Sequence, residues 1–248
     1  MTQIRVGTYN IGHFTEGHSC KAGGSEPRKP IYREAIISMG CDVVGIQENN
    51  IEYNYRHPEI SSYEAIYSMF ENYETAERHG YNCNAFLSKF RLSNSENIAF
   101  ENNYKKRYTF ESDIEVDGKV IHLMNTHLEW WDTAMRRKQI NELIDRAGAY
   151  EYVIVLGDMN PCPRYQGKVS GKNAYIDECK MWIDAGYKPA HPSKLGMLPT
   201  YLGSEYGDSK GIPYDNVIVS GNMEITQIGQ VIRPYMHDHT PFWADIEF

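Results

Sequence analysis

Residues 107–127 read Arg107-Tyr108-Thr109-Phe110-Glu111-Ser112-Asp113-Ile114-Glu115-Val116-Asp117-Gly118-Lys119-Val120-Ile121-His122-Leu123-Met124-Asn125-Thr126-His127. Two strand-like runs, Arg107 to Val116 and Lys119 to Thr126, flank Asp117-Gly118, a pair of residue types that tolerate the positive φ of a two-residue hairpin turn. Antiparallel pairing follows. The second run is apolar through Met124 and then passes directly into a polar island, Asn125-Thr126-His127.

The same grammar extends outward. Asp132 is placed to cap a helix reaching to about Tyr150, whose Ile140, Leu143, Ile144 and Ala147 share one face at the i, i+3, i+4, i+7 spacing. A buried strand, Val153 to Leu156, comes next and ends in Gly157-Asp158-Met159-Asn160. Upstream, Gln3 to Tyr9 and Val43 to Ile46 read as strands, with islands at Thr8-Tyr9-Asn10 and Gln47-Glu48. Between them Tyr32 to Met39 reads as a helix stopped by Gly40, after a Gly-, Ser- and Pro-rich loop from Gly17 to Pro30. Pro58 to His79 suggests one or two helices over a sheet edge, and Ala85 to Ser88 a short strand. A helix at Tyr175 to Ala185 and strands at Tyr214 to Ser220, Glu224 to Ile232 and Phe242 to Ile246 complete the order. The last strand follows a fifth island, Met236-His237-Asp238-His239-Thr240-Pro241. Hairpin-joined strands mixed with helices predict an α+β fold, a four-layer sandwich of two packed mixed β-sheets flanked by helices.

Composition sets the outer bounds. A chain of 248 residues with 41% hydrophobic and 23% charged residues is expected to form one globular domain over its whole length. No apolar segment is long enough to span a bilayer, and Met1-Thr2-Gln3 runs straight into a strand pattern without a secretory leader, so a cytoplasmic, monomeric protein is expected. Five cysteines without a Cys-x-x-Cys pair read as free thiols. The net charge of −8 gives the molecule no mean attraction for a polyanion. A phosphate-bearing substrate then has to be held by a metal ion and by local basic groups, for which Lys105-Lys106-Arg107 and Arg136-Arg137-Lys138 are available, although each cluster also fits a solvated charged face.

The islands hold what phosphodiester hydrolysis requires: neutralised phosphoryl oxygens, a deprotonated water and a stabilised departing oxygen. Asn10 and Glu48 present hard oxygens suited to Mg²⁺, with Mn²⁺ as a substitute. Asp158 and Asn160, two residues apart at a strand end, are able to point the same way, one taking a proton and the other holding water or phosphate. His239 serves as acid, base or phosphate donor if a carboxylate fixes its second ring nitrogen, and Asp215 is the candidate for that.

Thr-Tyr-Asn, Ile-Gln-Glu, Asn-Thr-His, Gly-Asp-Met-Asn, Tyr-Asp-Asn-Val-Ile-Val-Ser and His-Asp-His-Thr-Pro together resemble the ordered motif set of the endonuclease/exonuclease/phosphatase superfamily, the DNase I-like fold, over almost the whole chain. The resemblance implies that Asn10 and Glu48 bind the metal with Asp238 nearby, and that Asp158 and Asn160 activate water and hold phosphate. It also implies that His239, oriented by Asp215, contacts the scissile phosphate or acts as base, and that His127 donates to phosphate or leaving group. Asn82-Cys83-Asn84-Ala85-Phe86-Leu87-Ser88 resembles a further family segment, in which Asn84 contacts phosphate or supports the turn. Pro199-Thr200-Tyr201-Leu202-Gly203 precedes the Asp215 strand as the family's order implies. Arg136, Arg137 and Gln139 follow Thr126-His127-Leu128-Glu129 at a spacing similar to that in tyrosyl-DNA phosphodiesterases, which makes Arg137 a candidate substrate contact. Trp130 and Trp131 offer stacking surfaces for a base or a lipid, or packing at the rim.

His237 and Asn216 depart from the family's usual residues at positions that bear on substrate class. The expected function is a Mg²⁺-dependent phosphodiesterase acting on DNA or RNA. A phosphatase for inositol phosphates or other phosphomonoesters is the first alternative, weakened because Tyr214-Asp215-Asn216 stands where inositol polyphosphate 5-phosphatases carry Cys-Asp-Arg. A sphingomyelinase-like enzyme is the second, weakened by the lack of an apolar membrane-docking stretch.

Overall fold

The computed structural model describes residues 2–12, 29–49, 70–76, 83–101, 107–161, 164–165, 168–169, 173–191, 194–196, 198–201, 213–232 and 239–248. In chain order these form β1 (Gln3–Asn10), α1 (Lys29–Met39), β2 (Val43–Gln47), β3 (Asn72–Thr75), β4 (Ala85–Ser88), β5 (Ser93–Ala99), β6 (Tyr108–Val116) and β7 (Lys119–His127). Then come α2 (Thr133–Ala147), β8 (Val153–Asp158), β9 (Arg164–Tyr165), β10 (Lys168–Val169), α3 (Asn173–Asp184), β11 (Lys188–Pro189), β12 (Asp215–Val219), β13 (Glu224–Gln230) and β14 (Phe242–Glu247).

Two six-stranded sheets, ordered β13-β14-β1-β2-β4-β3 and β11-β12-β8-β7-β6-β5, carry the fold, and β9 pairs with β10 apart from them. Both sheets are mixed. β1 runs parallel to β2 and β7 parallel to β8, while the other pairings are antiparallel. The hairpin at Asp117-Gly118 is present, with φ of 50° and 77° and Val116 opposite Lys119.

Period-two alternation divides each strand between two environments. Ile4, Val6, Val43 and Phe86 of the first sheet meet Phe110, Ile121, Leu123, Ile154, Leu156 and Val217 of the second in a shared interlayer core. Phe86 and Phe110 stack there with ring centroids 5.5 Å apart. On the outer face of the first sheet, Tyr9, Val44, Ile46 and Leu87 pack against Tyr32, Ala35, Ile36 and Met39 of α1. On the outer face of the second, Met124, Val153, Val155 and Ile218 pack against Ile140, Leu143 and Ala147 of α2 and Trp182 of α3. The result is the expected four-layer sandwich. The α2 cap is as read, since the Asp132 carboxylate accepts from Ala134 N at 2.9 Å and Met135 N at 3.0 Å.

Two local expectations differ. The helices expected over Pro58 to His79 meet an edge strand instead, β3, where Asn72 to Thr75 pair antiparallel with Ser88 to Ala85. The exposed edge of β4 offers those residues a hydrogen-bonding ladder that mixed spacing did not reveal; residues 58–69 and 77–79 lie outside the described residues. β5 was not anticipated because Ser93–Ala99 is polar and largely exposed, yet it pairs with β6. Cys41, Cys83 and Cys179 are reduced and buried, whereas Cys20 and Cys162 fall outside the described residues.

A buried polar bridge crosses the interlayer core. The Asn125 amide nitrogen on β7 donates to Ile46 O at 3.0 Å and Ala85 O at 2.9 Å, and its carbonyl accepts from Gln47 Nε2 at 2.7 Å. Gln47 also bonds Thr8 of β1. Gly45 makes room for this crossing, because a Cβ there would run into Leu156 and Asn125. Replacing Asn125 by Leu strands several buried polar groups and is expected to lower stability by about 3 kcal/mol. Denaturant unfolding checks this, and a change below about 1 kcal/mol would show that the sheets do not depend on the bridge.

Candidate active site

Strand register brings the polar islands to one end of the sandwich. In the second sheet His127 lies opposite Asp158, and Asp158 opposite Asp215, so three candidate site residues stand in a row across β7, β8 and β12. The close parallel approach of β7 and β8 depends on Gly157 at φ 145°, where a Cβ would strike the Thr126 carbonyl. In the first sheet Asn10 pairs with Gln47, which puts Glu48 beside it. His239 arrives just before β14 and bridges to Tyr201. Thr200 ties these segments together: its hydroxyl accepts from Tyr214 N and Asp215 N, both at 2.9 Å, and its carbonyl accepts from Thr240 N at 2.8 Å.

Asp158 is the hub. Its Oδ2 accepts from Asn10 Nδ2 at 3.0 Å and lies 3.4 Å from His127 Nε2 and 3.5 Å from His239 Nε2. Its Oδ1 accepts the Asn160 backbone N–H at 2.9 Å. The Asn160 side chain turns away to donate to Leu128 O at 3.0 Å, which fastens the segment after β7. His239 Nδ1 meets Asp215 Oδ2 at 2.8 Å, so the far nitrogen of that ring faces Asp158. Glu48 and Asn160 hold φ of 56° and 46°, a left-handed backbone that non-glycine residues seldom adopt and that concentrates at functional positions.

Burial governs the electrostatics. Desolvation raises the Asp158 pKa to about 7; His239 and the hydrogen bonds from Asn10 and Asn160 pull it down, while Asp215 pushes it up.

A hard divalent cation fits this donor set. Glu48 has 22% of its side chain exposed against 1% for Asp158 and 0% for Asp215, and a cation beside it would supply the positive charge that the buried carboxylate lacks. Asn10 donates through Nδ2 to Glu48 Oε1 at 3.2 Å as well as to Asp158, and its Oδ1 accepts from Gly12 N at 3.0 Å. It therefore orients both carboxylates, and its oxygen, which accepts one N–H, keeps a second lone pair for a cation. Asp158, Asp215 and His239 also place ligand atoms within 4.8 Å of one another. Imidazole is a poor partner for Mg²⁺ and His239 Nδ1 already meets Asp215 Oδ2 at 2.8 Å, so the dyad is the better account of that cluster. Asp238, expected as a further ligand, lies outside the described residues.

A family model for the endonuclease/exonuclease/phosphatase family matches residues 7–234. The chain belongs to this family. It is a phosphoester hydrolase with the DNase I-like fold. An endonuclease/exonuclease/phosphatase from Bacteroides vulgatus superposes with a TM-score of 0.74 at 17% identity, over 100% of this chain and 99% of the other. TDP2 from D. rerio, in complex with a single-strand DNA product, gives 0.73 at 14% identity over the full length of both chains. The 3′ phosphatase NExo from Neisseria, bound to a product DNA hairpin, gives 0.68 at 13% identity over 99% and 100%. No curated protein matches the chain by sequence.

Other family-segment residues occupy different surroundings. Asn84 is buried and donates to Asn125 O at 3.0 Å and Tyr108 O at 3.4 Å, a tether between the sheets that suits turn support. Arg136 is fully buried, paired with Glu178 of α3 at 2.8 Å and donating to Glu129 O at 3.0 Å. Gln139 accepts from Glu129 N at 2.8 Å. These two hold the chain after His127 in place, while Arg137 stays exposed on α2, 3.4 Å from Asp177.

Arg107, read from sequence as part of a basic run that either holds phosphate or forms a solvated face, is buried instead. It is 5% exposed, and burial lowers its pKa while Glu48, Asp158 and Glu129 act to keep it charged. The available signal was its place two residues before Thr109, whose partner across the hairpin is Thr126.

The raised Asp158 pKa fixes a sign for stability. Native Asp158 holds its proton more tightly than the unfolded chain does, so its contribution is greatest below the ordinary value of 3.8 and fades as pH rises towards 7. In chelator, wild type is expected to lose stability relative to Asp158→Asn between those limits, as followed by thermal melts across pH. Parallel curves for the two proteins would contradict the electrostatic account.

Proposed function

We propose that this chain, as a single monomeric domain, hydrolyses phosphodiester bonds in nucleic acid with Mg²⁺, or Mn²⁺ in its place, held by Glu48 and Asp238. The observation that carries the reading is the convergence on Asp158 Oδ2 of Asn10, His127 and His239, at 3.0, 3.4 and 3.5 Å, beside Glu48. When bound, the cation neutralises charge on the phosphoryl and departing oxygens.

The chain's own groups account for the remaining requirements. Asp158 removes a proton from the attacking water as the new oxygen–phosphorus bond forms, and burial, which favours its protonated form, helps it accept that proton. The Asn160 N–H fixes Oδ1, so Oδ2 is the oxygen that takes the proton. His239, steadied through Nδ1 by Asp215, donates from Nε2 to a phosphoryl oxygen as the protonated ring. His127 faces the same space and supplies the proton that the leaving oxygen takes as its bond to phosphorus breaks. Arg107, which interacts electrostatically with Glu48, Asp158 and Glu129, adds local positive charge at the site of a chain whose mean field repels a polyanion.

Nucleic acid is favoured because two proteins of the same fold, D. rerio TDP2 and Neisseria NExo, were crystallised with DNA products. NExo is a 3′ phosphatase, so a terminal phosphomonoester on DNA is the second reading.

Single- and double-stranded DNA, RNA, inositol phosphates and sphingomyelin, each incubated with Mg²⁺, separate the readings. Shortened strands that disappear with chelator are expected. Asp158→Asn and His239→Ala should each reduce turnover by a factor of about 10² or more in folded protein. Inorganic phosphate released without strand shortening would replace the diesterase with a phosphatase, and near-normal rates in either variant would remove the assigned roles.

A further inference from the structure

The segment from Leu128 to Asp132 joins β7 to α2, and its polar backbone groups are extensively anchored. Leu128 N donates to Asp158 O and Asn160 Nδ2 donates to Leu128 O, both at 3.0 Å. Glu129 is gripped from below, its N–H by Gln139 Oε1 at 2.8 Å and its carbonyl by Arg136 Nη1 at 3.0 Å. The Glu129 carboxylate in turn accepts Trp131 N at 2.9 Å, and Asp132 closes the segment by capping α2. Leu128, Glu129, Arg136 and Gln139 are all buried.

On this fixed strap the two largest side chains point outward. Trp130 and Trp131 are 43% and 42% exposed and meet edge to face, with centroids 5.2 Å apart at 68°. Neighbouring half-exposed indoles contribute less to stability than buried ones would, and side by side they offer an aromatic surface that a planar ligand is able to cover. Chain length bounds its distance from the site. The strap's first residue is bonded to Asp158 and Asn160, and an extended chain advances at most about 3.6 Å per residue, so the Trp130 and Trp131 backbones lie within about 7 and 11 Å of Leu128. That is a distance comparable to the separation of neighbouring nucleotides.

We infer that Trp130 and Trp131 form a stacking platform for an unpaired nucleobase flanking the phosphate held at Asp158, which makes single-stranded nucleic acid the preferred substrate form. This rests on the nucleic-acid reading above. Stacking on indole is indifferent to base identity and needs no attraction from the protein's mean field, which suits a chain of net charge −8. Exposed Arg137 and Lys138 follow on the first turns of α2, giving the mixture of aromatic and basic groups that single-strand binders use. Duplex bases are stacked on one another and present no free face to such a platform, whereas an unpaired base does.

The test is a cycle between protein and substrate. Kinetics of wild type, Trp130→Ala, Trp131→Ala and the double variant are compared on a short oligothymidylate and on the same strand carrying abasic residues either side of the scissile phosphate. On the intact strand the double variant should lose about tenfold or more in kcat/KM, mainly through KM, and the Phe variants should recover part of it. On the abasic strand the penalty should vanish. Indole fluorescence quenching by oligothymidylate should fall in the double variant, and its melting temperature should match wild type. An equal penalty on both strands, or none on either, would overturn the platform while leaving the nuclease intact. Failure of wild type to cut any oligonucleotide, with hydrolysis of sphingomyelin or an inositol phosphate instead, would end the nucleic-acid reading and the platform together.

Discussion

One side-chain amide, that of Asn125, carries the constraint on which the rest of the arrangement depends. It crosses the interlayer core to two backbone carbonyls of the opposite sheet while accepting from Gln47, so β7 is fastened to β2 and β4 by groups that have no water to turn to. Hydrophobic packing alone would hold two sheets together without fixing how far one slides along the other. Directional hydrogen bonds fix the level. Because the bonds join β7 of one sheet to β2 and β4 of the other, this lock also sets Asn10 and Glu48 at one height with His127 and Asp158.

The candidate site is built against the preferences of a stable core. Two carboxyl groups, Asp158 and Asp215, are almost wholly withdrawn from solvent in a chain that is already acidic. Two residues beside them keep a left-handed backbone. Histidines, amide donors and the buried Arg107 offset part of this, and a cation at Glu48 would offset more. Such concentrated strain and desolvation fit a surface prepared for a charged ligand and are poorly explained as a means of holding the fold.

The chain after His127 shows how one short segment links that site to the scaffold. Arg136 and Gln139 have the residue types of phosphate-binding groups, but both are committed to Glu129 and its backbone, with Arg136 also paired to Glu178 in the groove between α2 and α3. They stiffen the route from the His127 end of β7 into α2. What the strap leaves to solvent is aromatic surface.

Much of the fold was legible in short windows of sequence. The Asp117-Gly118 turn, the Asp132 cap, the alternation of β1 and the apolar run of β8 each depend on neighbours within a turn or a pleat, and so does the polar character of the groups that terminate the strands. Edge strands escaped, since β3 and β5 owe their form to the open ladders of β4 and β6 and hardly to their own residues. Arg107 and Arg136 escaped as well: a guanidinium reads alike on a wet surface and in a buried pair until its partners are known. The meeting of the terminal groups was decided by packing alone. Its bonds span 24 residues for Asp215 to His239 and 148 for Asn10 to Asp158, separations over which local pattern carries no information and only the stacking of two sheets in fixed register brings atoms within bonding distance.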